Sequence, residues 1–164
     1  MRRIFRHLIT DYWSVRRAFP AATLHAIEEA IAAGERSHSG ELRFVVESSL
    51  SLALLLRSTG SRSRAVHLFG ELGVWDTEEN SGVLIYVLLA DRRVEIVADR
   101  GVHRRVGEGA WVAICRTMQD EFRARRFKAG ALDGVAAVSA LLVKHFPADR
   151  SNPDELSNRP IVIG

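Results

Sequence analysis

Three short runs of this 164-residue sequence collect side chains able to bind cations or move protons. Asp76, Glu78, Glu79 and Asn80 form one run, and Asp99, Arg100 and His103 a second. Glu35, His38 and Glu41 form a third, in which a histidine stands midway between two carboxylates. Brought together, the six carboxylates would repel one another and raise each other's pKa unless a cation or arginines compensated. Oxygen-rich donors of this kind suit a hard divalent cation such as calcium or magnesium. The two histidines widen the choice towards zinc or manganese. His38, Glu41, Asp76, Glu78, Asp99 and His103 are therefore the candidate metal ligands. The plainer alternative is a set of solvated loop residues, with Arg36, Arg43, Arg100 and Arg104 pairing the acids at little gain for each pair.

The runs form one site only if the fold gathers them, and the elements between them say that it does. Gly82 to Ala90 is the most apolar stretch of the chain, rich in Val, Ile and Leu, and reads as a strand buried on both faces. The Asp91-Arg92 turn joins it to a second strand-like run, Arg93 to Asp99, which predicts a hairpin. Upstream, Leu42 to Glu47 reads as a strand. From Ser61, the spacing of Ala65, Leu68, Phe69 and Leu72, with Gly73 behind, predicts a crossover helix. A β-α-β unit makes the strands 42–47 and 82–90 parallel. Both then begin at the edge where the hairpin partner ends, and the three polar runs meet there. Helices are expected from Pro20 to Gly34, over about 107–124 and over about 128–145. Residues 48–60 fit neither period. The fold class is α/β, a mixed sheet of four strands or fewer, with a hairpin and a parallel crossover strand, covered by helices on both faces.

Composition limits the functions available. The net charge of +3 arises in residues 1–19, which hold five arginines and one aspartate, so the remainder is slightly acidic and offers no basic, aromatic stripe for nucleic acid. In those residues Ile4, Phe5, Leu8, Ile9, Tyr12 and Trp13 recur at helical spacing. Such a helix either docks on the core, the favoured reading, or makes peripheral membrane contact through Arg2, Arg3, Arg6 and Trp13. The start is too polar for a secretory signal, and no apolar stretch is long enough to span a bilayer. The expected location is the cytoplasm, or the inner face of its membrane. Cys115 sits among Trp111, Ile114 and Met118 at helical spacing and reads as a buried structural thiol. Phosphate loops, dinucleotide glycine fingerprints, Gly-x-Ser-x-Gly elbows and His-Glu-x-x-His helices are missing.

An ordered series of motifs resembles the TPM domain family, whose characterised relatives include a thylakoid-lumen acid phosphatase and bacterial envelope proteins. The series is Leu72-Gly73-Val74, Asn80 to Ile85, the Asp91-Arg92 turn, the strand 93–99 with Gly101, and Phe127 to Gly134. It is most similar to a soluble bacterial branch with a His-x-Gly-Glu motif, here His38 to Glu41, and a Trp-Asp-Thr-Glu motif, here Trp75 to Glu78. The resemblance implies an α/β/α sandwich and a divalent metal, often calcium, near the loops that flank the hairpin. Where the family commonly has Gly-x-Gly-x-Glu after the hairpin, this chain has Asp99 for the first glycine and His103 for the glutamate. Residues 20–147 would form the domain, with 1–19 as an N-terminal helix and 148–164 as an irregular arm. Two functions follow. One is a non-enzymatic module that binds a divalent cation or a protein partner. The alternative is a metal-dependent phosphatase, with Arg100 and Arg104 holding phosphate.

Overall fold

A computed structural model of the protein describes residues 2–148 and 156–164; Met1, the Arg2 side chain and residues 149–155 lie outside the described part. The first half of the chain runs α1 (Arg2–Ile9), α2 (Tyr12–Ala18), α3 (Ala21–Glu35), β1 (Glu41–Glu47), α4 (Leu52–Leu56) and α5 (Ser61–Glu71). The second half runs β2 (Gly82–Leu88), β3 (Arg93–Ala98), α6 (Arg100–Val106), α7 (Glu108–Arg123), α8 (Phe127–His145) and β4 (Ile161–Ile163). The strands form one mixed sheet in the order β3-β2-β1-β4. β1 is parallel to β2, with Glu41 opposite Gly82, and β3 is antiparallel to β2, with Ala98 opposite Val83.

Strand alternation sends successive residues of β2 to opposite faces. Val83, Ile85 and Val87 join Leu42, Phe44, Val46, Val94 and Ile96 in a core roofed by α3, α7 and α8. Leu84, Tyr86 and Leu88 join Val45, Val97, Ala65 and Leu68 in a second core under α5. Every residue of β2 is buried, as a strand with helices on both sides requires. The three-layer α/β sandwich expected from the sequence is thus the fold.

Four segments differ from the sequence expectations. Arg100–Val106 forms α6, capped by Asp99 whose carboxylate accepts from the Arg100 N–H, and Gly107 (φ +84°) separates this helix from α7. Residues 48–60, undecided in sequence, hold the single turn α4, capped by Ser51. The C-terminal segment is no mere irregular arm, because Ile161–Ile163 adds β4 beside Val45–Glu47 in parallel; Ser151, Asn152 and Pro153 lie outside the described residues. The N-terminal helix is two helices, broken where Asp11 caps α2.

The N-terminal pair does dock, but through the polar side of α1. Asp91, in the hairpin turn, receives Arg3 at 2.9 Å and Arg6 at 3.3 Å, and His7 Nε2 stands 3.1 Å from it. The Leu50 N–H donates to His7 Nδ1 at 2.9 Å, so Nε2 carries the hydrogen that reaches Asp91. Burial alone would raise the Asp91 pKa, but its hydrogen bonds from Arg3 and His7 outweigh this and hold it below the usual value. Val15 and Phe19 complete the docking in the core. Apart from the half-buried Ile4, the stripe expected to face inward is left outside.

Candidate functional site

The parallel pairing of β1 with β2, and the antiparallel return of β3, place the N-termini of two strands and the C-terminus of the third at one edge of the sheet. The chain before β2 is drawn tightly against this edge. Ser81 donates its N–H to Thr77 Oγ1 at 2.9 Å and its hydroxyl to the Ser39 carbonyl at 3.1 Å. Ser39 Oγ donates to Glu79 Oε2 at 2.5 Å, which ties the connection after α3 to that before β2. On the third side, the Asp99 N–H donates to the Gly82 carbonyl at 2.9 Å. A Cβ at Gly101 would stand 2.5 Å from the Asn80 carbonyl oxygen and 3.3 Å from that of Glu79. The start of α6 therefore lies directly on the backbone carbonyls of the acidic run.

The side chains of the three runs do not all follow their backbones to this edge. Asp76, Glu78 and Glu79 are exposed on the loop before β2. Asp99 is buried at the end of β3; Oδ1 accepts from the Arg100 N–H at 2.5 Å, and Oδ2 has no hydrogen-bond partner among the described residues. Glu41 is buried at the start of β1, and its Oε2 accepts from the Leu156 N–H at 3.1 Å. Glu35 accepts from the Leu42 N–H at 3.0 Å. His38 is fully buried, bridged to Pro147 and beneath the chain that leaves α8. His103 is exposed and pairs with Glu108 at 3.7 Å, on the outer side of α6. Among the described residues no three His, Cys, Asp or Glu side chains form a preassembled ligand group. What the edge holds is oxygen on neighbouring segments: a buried carboxylate oxygen of Asp99 without a donor among the described residues, the Glu79 and Asn80 carbonyls that lie against Gly101, and the exposed acidic loop that carries them.

A family model described as the TPM domain matches residues 16–141. The chain belongs to the TPM domain family. Among solved structures, this TPM domain is similar to the BA42 protein of the psychrophilic bacterium Bizionia argentinensis. That match has 28% identity and a TM-score of 0.76, and covers 94% of this chain and 97% of that one. The N-terminal domain of a protein from P. gingivalis shares the fold, at 22% identity and a TM-score of 0.60, over 79% of this chain and 82% of that one. No protein with a curated description matches the chain.

The polar networks that sequence reading missed lie elsewhere in the TPM domain. Arg64 of α5 grips Glu47 of β1 through Nε and Nη2, at 3.0 Å each, and the Tyr86 hydroxyl donates to Glu47 Oε2 at 2.6 Å. The signal available was alternation: Glu47 falls on the same face of β1 as Val45, beneath a helix that carries Arg64. An open groove of about 710 Å³ between α3 and β4, lined by Tyr12, His25, Glu28, Arg43 and Arg159, is built from residues outside all three acidic runs.

His38 gives the domain an expected response to acid. Burial lowers its pKa below the ordinary 6.5. Between those two values the unfolded chain binds a proton that the native state does not, so this stability is complete above about pH 6.5 and is lost as pH falls towards the lowered value. The denaturation midpoint should drop between about pH 7.5 and about pH 5, and His38→Gln should flatten that slope. Equal slopes for parent and variant would assign the acid sensitivity to other groups.

Proposed function

We propose that this TPM domain is a non-catalytic module that binds a divalent cation, calcium in preference to the others, at the strand-end edge and presents that edge to a protein partner. One observation carries the reading: the buried Oδ2 of Asp99, which no donor satisfies among the described residues. An uncompensated buried carboxylate oxygen is costly, and native structures rarely tolerate one without an ion, a water or a functional reason. The acidic run on the adjoining loop and the carbonyls against Gly101 offer oxygen donors. Asp99, the Glu79 and Asn80 carbonyls, and the side chains of Asp76 and Glu78 would hold the ion, a set that suits calcium's many-oxygen, adaptable coordination better than zinc. Of the histidines that would have favoured zinc, His38 is buried against Gly34 of α3 and His103 lies beside Glu108.

Chemistry beyond binding finds little support in the side chains. Burial pushes the Cys115 thiol up to about 12, so it is no nucleophile at neutral pH. Arg104, a phosphate-binding candidate, donates to the Arg100 carbonyl of its own helix at 3.2 Å.

Calorimetric titration of the parent with calcium, magnesium and zinc, against a chelated control, tests the reading. Calcium should bind and raise the melting temperature. Asp99→Asn keeps a good helix cap but should weaken calcium at least about tenfold, as expected when a charged ligand is lost. Asp76→Asn should weaken it too, and the double variant should be non-additive if both hold one ion. Unchanged calcium affinity in Asp99→Asn would remove the site. Metal-dependent hydrolysis of p-nitrophenyl phosphate that disappears in Asp99→Asn would replace the module with a phosphatase.

A further inference from the structure

The docking of α1 through its polar face creates a surface that the strand-end site does not use. Arg3 donates to the Thr59 carbonyl at 2.8 Å, and the Leu50 N–H donates to His7 at 2.9 Å. These two bonds lay α1 antiparallel beside residues 50–59, the segment that carries α4. With Arg3 and His7 turned inward, Phe5, Leu8 and Ile9 are 64%, 69% and 61% exposed, and Trp13 at the start of α2 is 65% exposed. On α4, Leu52 and Leu56 are 53% and 71% exposed. With Tyr12, these account for seven of the eleven large apolar side chains exposed among the described residues. Scattered surface leucines need no explanation, but such a concentration on adjoining helices marks an interaction surface.

The charge around the patch is mostly positive, with Arg6 also reaching Asp91 of the hairpin turn. Arg6, Arg16, Arg17 and Arg57 are exposed in the same segments, and Asp11, whose carboxylate caps α2, is the one acid in residues 2–18 and 50–60. The Arg16 guanidinium lies over the Tyr12 and Trp13 rings, at 5.6 and 5.9 Å from their centroids. Apolar side chains rimmed by arginine, with tryptophan and tyrosine at the boundary, match the chemistry of an anionic lipid interface. A second copy fits less well, since a two-fold contact would set the same arginines against one another. α1 is eight residues long, and among the described residues no helix is long and apolar enough to cross a membrane. The contact would therefore lie in the plane of the interface.

We propose that the face formed by α1, the start of α2 and α4 seats this protein peripherally on an anionic membrane surface. The seat is independent of the strand-end edge, so it is tested with chelator present. The full chain is mixed with vesicles of phosphatidylcholine alone, or with roughly a one-third share of phosphatidylglycerol, and binding is read by co-sedimentation and by the Trp13 emission shift, with Trp13→Phe as the optical control. Anionic vesicles should bind the protein at low salt, at least tenfold better than neutral ones, and should release it as salt rises. Phe5→Ser/Leu8→Ser and Arg16→Glu/Arg17→Glu should each lose at least tenfold in partitioning, with the parent's denaturation midpoint retained because neither pair contacts the core. No binding to anionic vesicles, equal binding to neutral ones, or binding unchanged in the Phe5/Leu8 variant overturns the proposal. A parent that runs as a dimer and becomes a monomer in the Phe5/Leu8 variant would assign the face to a second copy instead.

Discussion

Gly82→Val should leave little or no soluble, folded protein, whereas Gly109→Val should be close to neutral. A Cβ at Gly82 would sit 1.8 Å from the Val74 carbonyl oxygen and 2.9 Å from its carbon. Both atoms are backbone, in a residue that is itself fully buried, so no side chain can swing aside to make room. Relief requires the loop before β2 to move off the sheet, which would disturb the Gly82–Asp99 bond and the Ser81–Ser39 contact at the same edge. Overpacking alone costs about 1–3 kcal/mol, and a clash with fixed backbone belongs at or beyond the upper end of that range. At Gly109 a Cβ meets nothing within 4 Å. In that first turn of α7, valine is a better helix former than glycine, so the change should lie within about 0.5 kcal/mol of the parent. Chemical denaturation of both variants decides the matter. Equal midpoints and equal yields would mean that the loop does not press on β2 as the structure has it.

The same close approach shows which features were legible in the sequence. The run 82–90 announced a buried strand, the helical spacing after Ser61 announced a crossover, and parallel pairing with a hairpin return followed from connectivity alone. The gathering of three connections at one edge needed no knowledge of side chains. Side-chain direction was another matter. Glu41 and His38 stand at the edge in sequence but turn into the protein, and His103 turns outward to Glu108, because α6 is a helix. The signals for α6 were present in Asp99 as a cap and in Val102 and Val106 four apart, but Gly101 and the adjacent charges resemble a loop. β4 is three residues long, too short to show a period. The amphipathic stripe of α1 was evident, yet its orientation was set by a tertiary ion pair: Asp91, read only as a turn residue, takes Arg3 and His7 and so turns the apolar side outward. Periodicity reports that a helix has two faces; a distant partner decides which of them is inside.

Glu47→Leu alone should cost about 3–5 kcal/mol, the range found when one partner of a buried ion pair is removed. The Glu47 side chain is 4% exposed and that of Arg64 15%, so neither charge can return to water without disrupting the packing of α5 on the sheet. Burial pulls the Arg64 pKa down, but the paired Glu47 carboxylate more than offsets this and holds it raised. Burial, reinforced by the Glu47 charge, also raises that of Tyr86, whose hydroxyl remains a donor at every physiological pH. Removing Glu47 therefore strands a guanidinium and a phenol together, each without its acceptor. The network as a whole need not be stabilising, because both charges lose hydration when they are buried. Glu47→Leu/Arg64→Met/Tyr86→Phe, which replaces all three polar ends with apolar groups of similar volume, should recover most of the loss and fall within about 2 kcal/mol of the parent. Denaturation midpoints for the parent, the single variant and the triple variant separate these terms. If Glu47→Leu stays within about 1 kcal/mol of the parent, Arg64 has found another partner or water, and the pair is not buried in the sense that the geometry requires. If the triple variant is as unstable as the single one, the network contributes net stability beneath α5, and its Coulomb attraction and hydrogen bonds exceed the cost of desolvation.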